Sequence, residues 1–139
     1  MLKLYYKIWV DGIVKLKSIP SNKGLWKFYS LAFISMAMAL NIALIMSVLQ
    51  TNIFHSHFYN FDLNLNFGRK LNGFLKFFIL YLFVPLLLNY LLIFRNNRFE
   101  QLISRYKTYN GRLCITYLMI SYFLPFVLLF IGWLFLETK

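Results

Sequence analysis

Three long apolar runs divide the chain, and none of them contains a charged side chain. They cover residues 28–49, 77–94 and 113–136 and are 22, 18 and 24 residues long. With a rise of 1.5 Å per residue, helices of this length cross a hydrocarbon core of about 30 Å. The pattern predicts an all-α membrane protein with three transmembrane helices, at about residues 26–50, 72–94 and 113–136.

Residues 1–20 are predicted to form an amphipathic helix ahead of a three-span membrane domain at residues 21–139. At 100° per residue the polar side chains of this helix fall within an arc of about 160°. They are Lys3, Lys7, Asp11, Lys15, Lys17 and Ser18. An apolar face rich in Trp and Tyr opposite lysines is typical of a helix in the membrane interface. The alternative is a helix packed on the protein's own cytoplasmic side or on a partner subunit.

A second short amphipathic helix is predicted at residues 97–107, in the loop between the second and third apolar runs. Asn97 and Glu100 are three residues apart, an approximate capping box. The apolar positions then recur with helical spacing, at Phe99, Leu102, Ile103 and Tyr106. Asn110 and Gly111 are turn residues that mark the stop before the third run.

The loop at residues 51–71 has a different pattern, because apolar residues alternate with Asn and Asp between positions 60 and 67. A period of two predicts an extended segment, which lies on the membrane surface or adds as a strand to a partner's sheet. His55 and His57 lie in this loop with Asp62 as the nearest carboxylate. We interpret both as ordinary loop histidines and predict no metal site.

Small residues recur every four positions in the first run, at Ser35, Ala39, Ala43 and Ser47. Such a stripe allows close helix–helix packing where lipid supplies no hydrophobic drive. It therefore predicts a packing face, and Asn41 on the opposite side makes this helix central or subunit-facing.

The second and third runs contain Pro85 and Pro125, which are predicted to kink their helices, and the second also contains Asn89. Pro85 cannot donate a hydrogen bond to the carbonyl of Tyr81, which lies at the same predicted depth as Asn41. We therefore predict that Asn41 packs against the second helix near that carbonyl. The small-residue stripe is then left for the third helix or another subunit. The alternatives are that Asn41 bonds within its own helix or pairs with Asn41 of a second copy.

Fifteen Lys and Arg residues against four Asp and Glu give a net charge of +11. The basic residues flank the apolar runs, so the predicted partners are anionic lipid headgroups, and nucleic acid is not expected. The residues assigned to headgroup contact are Lys3, Lys7, Lys15, Lys17, Arg95, Arg98 and Arg105. The basic excess falls on residues 1–27 and 95–112, which predicts a cytoplasmic N-terminus and a periplasmic or extracellular C-terminus.

The sequence contains no recognisable catalytic constellation, so we predict neither an enzyme nor a cofactor. Cys114 is the single cysteine and is interpreted as a small apolar filler. The functional prediction is an accessory, scaffold or assembly subunit of a larger complex in a bacterial inner membrane. The alternative is a homo-oligomeric, holin-like pore or membrane effector, although no continuous polar stripe follows any of the three helices.

Overall fold

The computed structural model of the chain describes residues 2–22, 24–50 and 68–137, and these residues contain helices and turns but no strand. The α-helices are α1 Leu2–Ser18, α2 Trp26–Val48, α3 Arg69–Phe77, α4 Phe83–Asn89, α5 Arg98–Arg105 and α6 Arg112–Glu137. The all-α prediction is confirmed for this part of the chain. The predicted extended segment around positions 60–67, with His55 and His57, lies outside the described residues.

Among the described residues, two helical stretches are long and apolar enough to cross a membrane, Trp26–Val48 and Lys70–Arg105. Both correspond to predicted apolar runs. Arg112–Leu128, the first part of α6, is a shorter apolar helical segment.

The second long stretch begins with a composite helix, in which α3, a π-helical turn at Phe78–Leu82, α4 and a second π-helical turn at Tyr90–Phe94 follow one another directly, and it continues through a turn into α5. We call residues 69–94 the composite helix. The first π-helical turn ends three residues before Pro85, and the N–H of Phe83 bonds to the carbonyl of Phe78, five residues back. A wider turn accommodates a proline that lacks an N–H and crowds the preceding turn. Pro125 lies inside an uninterrupted α6, and the bend predicted there stays a prediction.

The composite helix ends in a tight turn at two consecutive asparagines. Asn96 and Asn97 have φ values of 54° and 53°, in the left-handed region that asparagine tolerates. This turn leads directly into α5, so the predicted second amphipathic helix is confirmed. The predicted capping box is wrong, because Asn97 makes no side-chain cap bond in its left-handed conformation.

Helix α2 is central, as predicted, and packs against α1, α6 and the composite helix. Its neighbours approach from different sides, and α6 and the composite helix pack on α2 much more than on each other. The beginning of α2 and the end of the composite helix meet at one end, where Trp26 contacts Phe94 and Phe99 through their rings.

The middle of α1 is enclosed on all sides. Five consecutive residues, Trp9 to Ile13, are buried, and five residues cover more than one full turn of 3.6. The surrounding elements are α2, α5 and α6. The packing of α1 thus follows the alternative, on the protein's own helices, and the predicted polar arc is wrong at Asp11, which is fully buried.

Candidate functional site

The carboxylate of Asp11 is held by four backbone N–H groups from one distant segment. Oδ1 accepts hydrogen bonds from Tyr109 and from Gly111 at 3.0 Å, and Oδ2 accepts them from Leu113 at 2.9 Å and Cys114 at 3.3 Å. We call this arrangement the Asp11 clasp. It ties the middle of α1 to the start of α6.

Three of the four donors, the N–H groups of Gly111, Leu113 and Cys114, belong to the start of α6, and the fourth, that of Tyr109, belongs to the turn before it. The first N–H groups of a helix have no intrahelical acceptor and form its positive end, so an acceptor with negative charge is favoured there. The predicted turn before α6 presents these groups, with φ of 55° at Asn110 and 82° at Gly111. A side chain 100 residues away in the sequence therefore caps α6.

Two glycines allow the backbones of α1 and α6 to approach closely at the clasp. A Cβ atom on Gly12 would lie 2.7 Å from the Sγ of Cys114, and one on Gly111 would lie 2.7 Å from the Cγ of Lys15. Because such distances are shorter than carbon contacts allow, neither position accepts a larger residue without movement. The stem of Lys15 packs over Gly111, and its Nζ donates to the Oδ1 of Asn110 at 3.4 Å.

A second polar contact joins three elements around Asn89, whose side chain is fully buried. Its Nδ2 donates to the Oγ of Ser35 at 2.8 Å, and the Sδ of Met38 lies 3.3 Å away. Its Oδ1 accepts from the hydroxyl of Tyr5 at 2.7 Å. Burial, with a smaller effect from the neighbouring Tyr6, raises the pKa of Tyr5, so the phenol stays protonated and available as a donor.

Asn41 faces α6 rather than the composite helix. Its Nδ2 donates to the Oγ of Ser121 at 2.9 Å, so the predicted position near the Tyr81 carbonyl is wrong. The prediction assumes the wrong rotation of α2 about its own axis. The two residues were matched by depth, but depth does not determine which side of a helix faces which neighbour.

The small-residue stripe of α2 contacts more than one neighbour. Ser35 bonds to Asn89 of the composite helix and Ala39 is fully buried. Ala43 and Ser47 instead line an open groove of about 300 Å³ together with Pro125 and Leu128 of α6. A role of the stripe in contacts between subunits stays a prediction.

The basic residues assigned to lipid headgroups lie on α1, on α5 and at the end of the composite helix. Lys3, Lys17, Arg95, Arg98 and Arg105 are exposed, whereas Lys7 and Lys15 are half-buried. Lys17 and Lys27 also lie over the ring of Trp26, at 5.6 and 5.5 Å from its centroid. Aromatic and cationic side chains are thus interleaved at the start of α2, as is typical of an interfacial belt.

The role of Asp11 is not predicted by the sequence pattern. A usable signal existed, because Asp11 and Gly12 are both poor helix formers in the middle of a helix. A residue with low helix propensity in the middle of a helix often makes a tertiary contact that stabilises the fold. The location of the partner was not encoded locally, because the four donors are 98 to 103 residues further along the chain.

No protein-family model, curated protein or solved structure matches this chain. Within residues 2–22, 24–50 and 68–137, no group of three or more His, Cys, Asp or Glu residues could hold a metal ion. The part of the chain that the structure describes is helical, and two of its helical stretches are long and apolar enough to cross a membrane. The polar contacts of Asp11, Asn89 and Asn41 each join one helix to another.

Proposed function

We propose that this protein is a small three-span inner-membrane protein that acts as an accessory, scaffold or assembly subunit of a larger membrane complex. The observation that carries this proposal is the uncovered apolar surface of α6. Large side chains are exposed along most of its length: Ile115, Met119, Ile120, Phe123, Phe126, Val127, Phe130 and Ile131.

Exposed apolar surface of this extent needs a cover of lipid or protein. Helix α6 is 26 residues long, sufficient for a third span beside α2 and the composite helix. The polar side chains on the inner faces favour a structural role, since Asp11, Asn89 and Asn41 bond to groups on other helices of this chain. A transport path would need polar groups aligned along an opening.

The proposed orientation puts the N-terminus in the cytoplasm and the C-terminus in the periplasm or outside the cell. The starts of α2 and α6 gather around α1 near the end of the composite helix, together with the basic residues of α1 and α5. Basic flanks are retained on the cytoplasmic side, where anionic headgroups attract them.

Mild-detergent purification of the tagged protein, followed by mass spectrometry, tests the assignment. A stoichiometric larger membrane protein is the expected companion, and a triple substitution of Phe123, Phe126 and Phe130 by Ala should release it. The matched control is Phe74→Ala with Phe83→Ala and Tyr90→Ala, three exposed aromatic residues on the composite helix. A ladder of homo-oligomers with no other protein would contradict the subunit assignment and favour a pore.

Reporter fusions test the orientation separately. A periplasmic reporter should be active after Lys139 and inactive at Asn97. The reverse activities would overturn the orientation.

A further inference from the structure

A basic pocket lies at the turn between the composite helix and α5. It is an open concavity of about 380 Å³ lined by Leu91, Arg95, Asn96, Arg98 and Gln101. The two left-handed asparagines, with φ of 54° and 53°, reverse the chain so that both arginines line the same space. We call it the Arg95–Arg98 pocket.

The two guanidinium groups of this pocket are available for a ligand. Both arginines are exposed, and among the described residues neither side chain forms an ion pair or a hydrogen bond. The one acidic residue of α5, Glu100, is not part of the lining. Two guanidinium groups lining one concavity suit a phosphate, because a phosphate has enough oxygen atoms to accept paired N–H bonds from each.

The apolar wall of the pocket indicates what carries the phosphate. Leu91 is part of the lining, is 38% exposed and lies one turn before Arg95 on the apolar composite helix. A free phosphate ion makes no apolar contact with Leu91. The acyl chains of a phospholipid, by contrast, leave the headgroup and pack against an apolar surface of this kind.

We propose that the Arg95–Arg98 pocket binds the phosphodiester of one anionic phospholipid, with the acyl chains leaving along Leu91. Gln101 supplies an amide donor on the remaining side of the headgroup. The inference rests on the proposed membrane residence of the chain. It goes beyond general headgroup attraction, because it assigns one lipid to one site.

Native mass spectrometry of the full-length protein tests this after reconstitution into nanodiscs of phosphatidylcholine with or without phosphatidylglycerol and release into detergent. One retained phosphatidylglycerol per protein is expected, and no retained phosphatidylcholine. Arg95→Gln with Arg98→Gln should lower the apparent affinity about 150-fold, because each arginine lost removes a charge-assisted hydrogen bond to the phosphodiester that contributes about 1.5 kcal/mol. Arg95→Lys with Arg98→Lys keeps the charge but loses the paired donors, and its affinity should fall between the two.

The matched control is Arg105→Gln with Lys107→Gln, which removes the same charge near the other end of α5, outside the pocket. Equal loss in both double variants would show diffuse attraction and overturn the site. Displacement of the lipid by inorganic phosphate alone would overturn the lipid assignment in favour of a phosphate site. If the protein fails to enter nanodiscs, the proposed membrane residence falls. If it enters but retains no lipid selectively, the pocket assignment alone falls.

Discussion

In helices α1 and α6 the burial of the side chains does not follow their polarity. Helix α1 contains four lysines and an aspartate, yet its middle turn is buried on every side. Helix α6 has charged residues only at its two ends, yet between residues 115 and 131 most of the apolar side chains whose burial is described are exposed. In this fold, position is decided by hydrogen-bonding partners and close backbone approach more than by hydrophobicity. This is expected where lipid is as apolar as the side chains it meets.

Removal of the carboxylate at the centre of α1 should cause the largest loss of stability. Asp11→Ala leaves four N–H groups at the start of α6 without their acceptor, and buried unpaired donors cost about 1–3 kcal/mol each. Since some of the four lie near the surface of the bundle, we expect the free energy of unfolding to fall by about 4 kcal/mol. The single cysteine, Cys114, is buried, so its labelling by a thiol-reactive dye during a thermal ramp measures the loss. Lys3→Ala, an exposed change on the same helix, should leave the labelling curve in place. Equal curves for both variants would show that the clasp contributes nothing.

Close approach of the two helices is tested at Gly12. Gly12→Ala puts a methyl group 2.7 Å from the Sγ of Cys114, and overpacking of this kind costs about 1–3 kcal/mol. Adding Cys114→Ala should restore most of the stability, measured by circular dichroism in detergent. Gly73→Ala is the control, because nothing lies within 4 Å of its Cβ position and an exposed helical glycine gains up to about 1 kcal/mol on this change. A double variant no more stable than Gly12→Ala would contradict the proposed contact.

The two buried amides allow a graded comparison. Asn89→Leu leaves both Ser35 and Tyr5 without their partner and should cost about 1–2 kcal/mol. Asn41→Leu removes the bond to Ser121 and should cost about 0.6 kcal/mol, the average for an interhelical bond in a membrane protein. Thermal melting of both variants in the same detergent shows which substitution lowers the stability more. The reverse order would mean that the bond to Ser121 is the stronger link.

The smallest effect on folding is expected on α6. Phe126 is 70% exposed, so Phe126→Ala should change the unfolding free energy of the isolated protein by less than about 0.5 kcal/mol. In the cell, the same variant should reduce recovery of the proposed partner in co-purification. A large loss of stability in the isolated protein would show that the exposed face of α6 packs within a single copy.

Much of the fold was predictable because its signals are local. Apolar length indicated α2 and the composite helix, and helical spacing indicated α1 and α5. The turn at Asn110 and Gly111 was read directly from residue type. Each of these features depends on a few neighbouring residues, so one sequence is sufficient.

The candidate site was not predictable in the same way. Asp11 was assigned to a polar arc because a helical wheel records spacing and not neighbours. Asn41 was matched to Tyr81 by depth, but its partner Ser121 lies on another helix. Both errors concern contacts between residues about 80 to 100 positions apart. Such contacts depend on helix rotation and on which helices meet, which hydrophobic periodicity alone does not specify.

The Asp11 clasp also sets an order of events during synthesis. The ribosome makes α1 first, but the last N–H group that its carboxylate needs belongs to Cys114, 103 residues later. At about 5–20 residues per second, the aspartate waits roughly 5–20 s for its partners. During that interval α1 carries an uncompensated carboxylate that disfavours burial, so its final docking must follow the emergence of α6. A nascent chain arrested before residue 109 would thus lack all four donors to the Asp11 carboxylate.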